Sequence, residues 1–327
     1  LAALQELVHS GLPLVRMVHD HTLYCLRTYK YNYFTRQVCA RPASGYCVFP
    51  CLATLARNRQ GPLPVRWASF GAKRQELRLH RHCHRLLVFS EYMKQELVRN
   101  GFEPQRIEVL APLFEEAGPP PLSALSERNL VLCAGQLIRG KGVDVLLRAL
   151  ARVQVPFECL IAGEGHHRRH CQRLCRRLGL QERVRFAGYL PTAELQRCYA
   201  QASVFAFSAL WPEPFGMAGV EALSHGVPVV AFDTGGVRQW LHDGENGFLV
   251  PWGDAGLFAA RLEQLLGNKP LARTLGRRGF ELAARDYAPG PAADALEALL
   301  LRTVRPAPNP SALAAARCSP VPVTAYD

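Results

Sequence analysis

Residues 211–236 read WPEPFGMAGVEALSHGVPVVAFDTGG, and this stretch decides the fold. Pro214 fixes φ at the entry to a helix, and MAGVEALSH at 217–225 has helical composition until Gly226 stops it. VPVVAF at 227–232 is a continuous apolar run between turn residues, the pattern of a strand buried on both faces of a parallel sheet. DTGG at 233–236 is then a loop at the strand's end. Helix followed by buried parallel strand is α/β alternation, and ligands of such sheets collect at the carboxyl ends of the strands.

The same stretch carries the chemistry. Gly216 lets the backbone approach a ligand, and the amides of Gly216 and Met217 have no partner within the helix, so the helix mouth favours an anion such as a diphosphate. Glu213 lies just outside the helix and Glu221 two turns inside it, with seven residues between them. Hydroxyl-rich groups on either side of a diphosphate describe a nucleotide sugar. Singly, either glutamate is what a helix start ordinarily carries; together with the glycines, including Gly235 and Gly236 on the far side, they define a candidate site.

Outward from this stretch the alternation continues. NLVLCAG (129–135), FECLIAG (157–163), VRFAG (184–188) and VFAFSA (204–209) read as strands. VDVLLRALARV (143–153), RRHCQRLCRRLG (168–179) and TAELQRCYAQA (192–202) read as helices between them, which predicts a doubly wound parallel sheet with right-handed crossovers. Helices are expected near 254–267, 270–285 and 291–304. In the first half LPLVRMVHD (12–20) is a strand ending at His19 and Asp20, VRWASFGAKRQELRLH (65–80) reads as one helix, and RLLVFS (85–90) is a strand whose Ser90 caps the helix 91–101. IEVLAP (107–112) is a strand, and the Pro-rich 115–128 a linker. The expected division is 1–118, a partial domain with a cysteine-rich insertion; 119–290, a Rossmann-like domain; 291–304, a crossover helix; and 305–327, a disordered tail rich in Pro and Ala.

EPFGMAGVEA at 213–222 resembles the donor-binding signature of family 4 of the retaining glycosyltransferases, and the likeness runs from His19 and Asp20 to the last helix near Arg302. It implies a GT-B fold, two Rossmann-like doubly wound domains facing a cleft, and a retaining, metal-independent hexosyl transfer with no cofactor, the nucleotide sugar being a substrate. By resemblance Glu213 holds hydroxyls of the transferred sugar, Phe215, Gly216 and Met217 line the donor, and Glu221 holds the ribose. Tyr189 and Leu190 offer backbone groups to the base, and His19 meets the acceptor or the sugar. Against the family's plan, the first strands and the glycine-rich acceptor loop are missing before Leu1, which predicts an N-terminally incomplete chain.

A second loop faces the same cleft. In AGQLIRGKGVD (134–144) Gly135, Gly140 and Gly142 permit a tight turn, and Lys141 stands beside a helix N-terminus where a cation meets phosphate. It is not a Walker motif, because Val143 stands where Ser or Thr would bind a metal. The family commonly places Arg after the first glycine, but this chain has Gln136, so either Arg139 replaces it or catalysis is weaker. Glu213, Lys141 and His19 are the expected catalytic residues; Gly135, Gln136 and Arg139 join the donor set.

The 39 Lys and Arg against 27 Asp and Glu give a formal charge of +12, clustered at 78–85 and 168–177. Such a face suits an anionic membrane, and a glycan or lipid-linked acceptor fits it; no recognition motif accompanies the charge, so nucleic acid is not expected. The chain has no apolar run of about eighteen residues to span a bilayer. Eleven cysteines, an odd number, argue against a fully paired secreted framework, and a cytoplasmic, peripheral location on the inner face of the plasma membrane is expected. Cys133 and Cys159 read as core. Cys25, Cys39, Cys47 and Cys51 crowd within 27 residues at spacings x13, x7 and x3, a weak metal signal without a CxxC pair. His80, His82, Cys83 and His84 read as charged surface. The competing readings are an inactive or degenerate GT-B chain, an epimerase or phosphorylase, and a basic nucleic-acid-binding protein.

Overall fold

The structure, a computed structural model, describes residues 2–32, 35–57, 65–112, 114 and 129–304; the expected linker, the boundary at 118 and the tail at 305–327 lie outside these. After a short helix α1 (Ala2–His9), the chain forms β1 (Val15–Val18), a hairpin of β2 (Leu55–Arg57) and β3 (Val65–Trp67), α2 (Phe70–His80), β4 (Arg85–Val88), α3 (Glu91–Arg99) and β5 (Ile107–Val109). The second half runs β6 (Leu130–Ala134), α4 (Val143–Leu150), β7 (Glu158–Ala162), α5 (Arg168–Arg177), β8 (Val184–Gly188), α6 (Thr192–Gln201) and β9 (Val204–Phe207). It continues with α7 (Met217–Ser224), β10 (Val229–Phe232), β11 (Gly247–Val250), α8 (Ala255–Gly267), α9 (Lys269–Asp286) and α10 (Pro289–Val304).

The larger sheet has the order β11-β10-β9-β6-β7-β8, and every pair is parallel. Counted from β6 this is 3-2-1-4-5-6 read from the far edge, the dinucleotide-fold order whose switch point lies between β6 and β9. The strands sort their side chains by the period of two. Val204 and Ala206 of β9 enter one core with α4, α5 and α8, while Phe205 and Phe207 enter the other with α7 and Trp240. Both faces are covered, so β9 is buried throughout, and each large apolar side chain so buried contributes roughly 1.5–3 kcal/mol.

The smaller sheet has the order β1-β4-β5, also parallel. Ser90 caps α3 as expected, its Oγ accepting from the Met93 amide at 3.3 Å. One expectation is corrected. Residues 65–80 are not a single helix, because Val65–Trp67 pairs antiparallel with Leu55–Arg57, and α2 begins only after Ser69, whose Oγ takes the Ala72 amide. A β-branched and an aromatic residue favour the strand, and the serine supplies the helix start. β11 and α1 were not anticipated; a four-residue GFLV strand carries no period long enough to read.

Candidate active site

The loops that leave β6 and β9 meet at the switch point. After β6 a single 3-10 turn, Arg139–Lys141, is closed by Gly142, and Ser208 just past β9 donates its hydroxyl to the Lys141 carbonyl at 2.9 Å. Main-chain amides of Leu210 and Trp211 donate to the Gly140 carbonyl at 2.8 and 3.0 Å. Lys141 is thereby carried against the 211–216 segment, and its Nζ stands 2.5 Å from Glu213 Oε1. The Trp211 indole N–H donates to the same oxygen. The ammonium also lies over the Trp211 ring, 5.1 Å from its centroid. The Glu213 side chain is only 5% exposed and the Lys141 side chain 24%, so a nearly dry carboxylate is balanced by one cation at the rim.

The segment around Glu213 is held from four directions. The carbonyl of Pro212 accepts from His21 Nε2 at 2.7 Å, that of Glu213 from the Gly236 amide at 2.7 Å, that of Pro214 from Ser90 Oγ at 2.5 Å, and that of Phe215 from Trp240 Nε1 at 2.7 Å. Two of these donors come from the smaller sheet's half and two from the larger. A carbonyl can only accept, so Nε2 carries the His21 proton and Nδ1 accepts from Tyr24 Oη at 2.7 Å. Burial pushes the His21 pKa below its ordinary value and keeps the ring neutral.

Gly216 caps α7 at φ +98°, a left-handed conformation that glycine adopts without strain, and a side chain there would meet Phe207 at 2.9 Å. A little over one turn along, Glu221 is half-buried, and Tyr199 Oη donates to its Oε2 at 3.0 Å. The His225 ring stacks on Tyr199 at 5.2 Å, so the phenol that orients Glu221 is itself wedged in place.

The other expected residues divide. Gly135 and Gln136 are exposed at the end of β6, and Met217 is exposed at the mouth of α7. Tyr189 follows β8 and is 76% exposed, with Leu190 half-buried beside it. Phe215 turns into the core against Phe89, Phe114 and Tyr287, so it supports the segment and offers no side chain to the cleft. Arg139 is within electrostatic reach of Tyr31 and His167. His19 is exposed, 64% for its side chain, and its nearest charge is Asp20, 3.9 Å away. The histidine that touches the segment is His21, two residues on, which sequence reasoning missed although the same strand end carries both.

A recess of about 20 Å³ lies among Gly135, Gln136, Lys141, Phe207 and Ser208, room for about one water. A ligand of sugar size would therefore rest on its mouth. A cavity of about 750 Å³ opens at Leu130, Glu158 and Val184, the opposite, amino ends of the strands, and is remote from these groups.

Among the described residues the ligand atoms of the weak candidates Cys25, Cys39, Cys47 and Cys51 do not converge, nor do those of His80, His82, Cys83 and His84, read as charged surface; the set that converges is Asp144, His167 and His170. His80 and Cys83 are buried and His84 Nδ1 accepts the Leu14 amide at 3.0 Å, so that charged run is partly inward. Cys133 and Cys159 are buried in the core.

Residues 117–282, just over half of the chain, match the family described as glycosyl transferases group 1. Among curated proteins, the lipopolysaccharide core biosynthesis glycosyltransferase LpsE of Rhizobium meliloti is 32% identical over 179 residues, covering 55% of this chain and 52% of that one. A GDP-mannose-dependent alpha-(1-6)-phosphatidylinositol monomannoside mannosyltransferase of Mycolicibacterium smegmatis is 35% identical over 172 residues, 50% of this chain and 45% of its own length. The chain thus spans about half the length of the curated relatives it matches. Among solved structures, Anabaena Alr3699/HepE in complex with UDP-glucose superposes with a TM-score of 0.68 at 20% identity, over 91% of this chain and 76% of that one. The fold is GT-B, with parallel Rossmann-like sheets on the two sides.

Proposed function

We propose, for a chain that belongs to the glycosyl transferases group 1 family, that it moves a hexosyl group from a nucleoside-diphosphate sugar to a hydroxyl of a glycan or lipid-linked acceptor, with retention of anomeric configuration. The observation that carries the proposal is the Lys141–Glu213 pair beside the glycine-capped mouth of α7.

In this reading the diphosphate lies across the start of α7, where the Met217 amide and the helix dipole favour negative charge. Lys141 meets the charge that develops on the leaving phosphate oxygen, which fixed donors in a dry site stabilise strongly. Glu213 exchanges part of its contact with Lys141 for hydroxyls of the transferred sugar. Glu221, held by Tyr199, takes the ribose through its remaining oxygen, and exposed Tyr189 stands where a base would stack. The acceptor hydroxyl attacks on the face the leaving group departs from, and the leaving phosphate takes the proton. Support for a nucleotide-sugar donor comes from the HepE complex with UDP-glucose, and support for a role in cell-surface polysaccharide or glycolipid synthesis from the lipopolysaccharide and phosphatidylinositol mannoside relatives. Arg169, Arg173, Arg176 and Arg177 form the exposed face of α5, a basic surface suited to an anionic bilayer on the cytoplasmic side, and no helix among the described residues is long and apolar enough to cross a membrane.

Thermal shift against UDP-, GDP- and ADP-sugars, followed by transfer assays with the sugar that raises the melting point, tests the proposal. No shift and no transfer or hydrolysis with any donor would defeat it. One residue favours a second reading, a chain that binds a donor without turning it over. Gln136 can donate a hydrogen bond but supplies no charge. A donor-dependent shift without turnover, rescued by Gln136→Arg, selects that reading.

A further inference from the structure

The insertion between β1 and α2 carries chemistry that donor binding does not use. Cys25, Cys39, Cys47 and Cys51 all line one cavity of about 320 Å³. Regular structure around them is sparse, a 3-10 turn at Gly45–Cys47 and an isolated bridge between Tyr31 and Val38. Yet the backbone is tightly specified. Among the described residues all the non-glycine positions with positive φ lie here, at Thr28, Lys30, Arg36 and Leu52, each a conformation that residues with side chains rarely adopt. The Cys39 amide donates to the Lys30 carbonyl at 2.7 Å and the Ala53 amide to the Cys47 carbonyl at 2.8 Å, closing each half of the loop, and Arg27 Nη2 joins the halves by donating to the Cys51 carbonyl at 2.5 Å.

The sulfurs face donors. Main-chain amides of Lys30 and Arg27 point at Cys25 and that of Ser44 at Cys47, and Arg27 Nε donates to Cys51 Sγ at 3.3 Å. Lys30 and Arg41 stand in the same wall. Burial pushes the Cys25 and Cys47 thiols up in the metal-free chain, and the amides and the Arg27 guanidinium aimed at sulfur are the donors that a metal-bound tetrathiolate, with its net double negative charge, would use. We propose that Cys25, Cys39, Cys47 and Cys51 bind one Zn²⁺ as a structural tetrathiolate site. Zinc takes four thiolates tetrahedrally at about 2.3 Å, which sets sulfurs somewhat under 4 Å apart. No three of the four sulfurs lie within 4.8 Å of one another, so binding draws them inward, into the cavity they line.

The convergent trio Asp144, His167 and His170 is the poorer site. The two imidazoles stack at 4.5 Å with 20° between their planes, so their in-plane lone pairs do not meet at one point, and Asp144 Oδ2 is paired with Arg36 at 3.0 Å. The cysteine site would instead fasten a strap that reaches both halves: Lys30 meets Glu96 at 2.8 Å, Arg36 meets Asp144, and Tyr29 packs on Trp211 with ring centroids 4.8 Å apart.

The full chain, expressed with added zinc and purified with a reductant and without chelator, is assayed for metal by mass spectrometry and by release to a zinc dye on titration with 4-mercuribenzoate. One zinc per chain is expected, lost in Cys39→Ser/Cys47→Ser and kept in Cys198→Ser. Should the double variant fail to fold, exchange of Co²⁺ into the native chain is expected to give the visible absorption of a tetrahedral cobalt thiolate. Zinc far below one per chain with no cobalt spectrum, zinc retained by the double variant, or disulfides between these cysteines in the reduced preparation would each overturn the proposal.

Discussion

The Nε2–H of His21 donates across 2.7 Å to the carbonyl of Pro212, joining the loop after β1 to the residue that precedes Glu213. Replacing His21 by alanine leaves a buried carbonyl without a donor, which costs roughly 1–3 kcal/mol. His21→Ala is expected to lower the unfolding free energy by that amount, and with it the denaturation midpoint, and His21→Gln to recover part of it. An unchanged midpoint would mean that the two halves do not depend on this bond.

Lys141→Met removes the cation from a carboxylate that is only 5% exposed. Turnover should fall by about 10²–10³, the effect of losing one fixed stabiliser of developing charge. Stability should fall as well, toward the lower end of the roughly 3–5 kcal/mol seen when one partner of a buried pair is removed, because Lys141 sits at the rim. Adding Glu213→Gln should restore the stability and leave turnover low. Urea denaturation beside a donor-hydrolysis assay separates the two effects.

Glu221→Ala should act on donor affinity. Hydrogen bonds to a charged group contribute about 1.5–3 kcal/mol, so the donor KM is expected to rise by roughly tenfold to a hundredfold with kcat largely kept. Tyr199→Phe, which removes the 3.0 Å bond that orients Glu221 together with the 3.2 Å bond to the Ala218 carbonyl, should raise KM less. A fall in kcat alone would place Glu221 elsewhere in the cycle.

Stability should fall as pH is lowered from about 6.5. Burial first, then neighbouring His170, Arg139 and His166, outweigh the attraction of Asp144 and hold the His167 pKa down, at about 4 against an ordinary 6.5. The folded state refuses a proton that the unfolded chain accepts, so the contribution is complete above 6.5 and is lost as pH falls toward 4. His21, depressed by burial, acts in the same direction. Melting curves across this range should be less steep in pH for His167→Gln than for the parent chain.

Gly219→Ala tests the packing of α7. A methyl group there would come within 2.0 Å of the Trp240 ring, and overpacking of this kind costs about 1–3 kcal/mol. A lower melting temperature is expected, with a weaker hydrogen bond from Trp240 to the Phe215 carbonyl and a raised donor KM.

Much of this was legible because strand and helix periods are local. VFAFSA and VPVVAF fall on adjacent parallel strands, and the glutamates fall on the two sides of the α7 start, as their spacing implies. The pairing of Lys141 with Glu213 was not legible, since it depends on which loops the 3-2-1-4-5-6 order brings together across 72 positions. Val65–Trp67 was misread because the strand and its partner, Leu55–Arg57, are each three residues long, too short to show a period of two. His21 was passed over for His19 because both end the same strand, and only packing distinguishes the ring that turns inward from the one left in water.

Four consecutive carbonyls, from Pro212 to Phe215, each answer to a different donor. Such a stretch cannot drift by itself: any hinge motion must either carry it whole or snap the bonds from His21 and Ser90 first. Hydrogen exchange at the amides flanking His21 should then report on occupancy of a pocket built by the opposite lobe, and grafting that lobe alone onto another scaffold would transplant its acids without the grip that aims them.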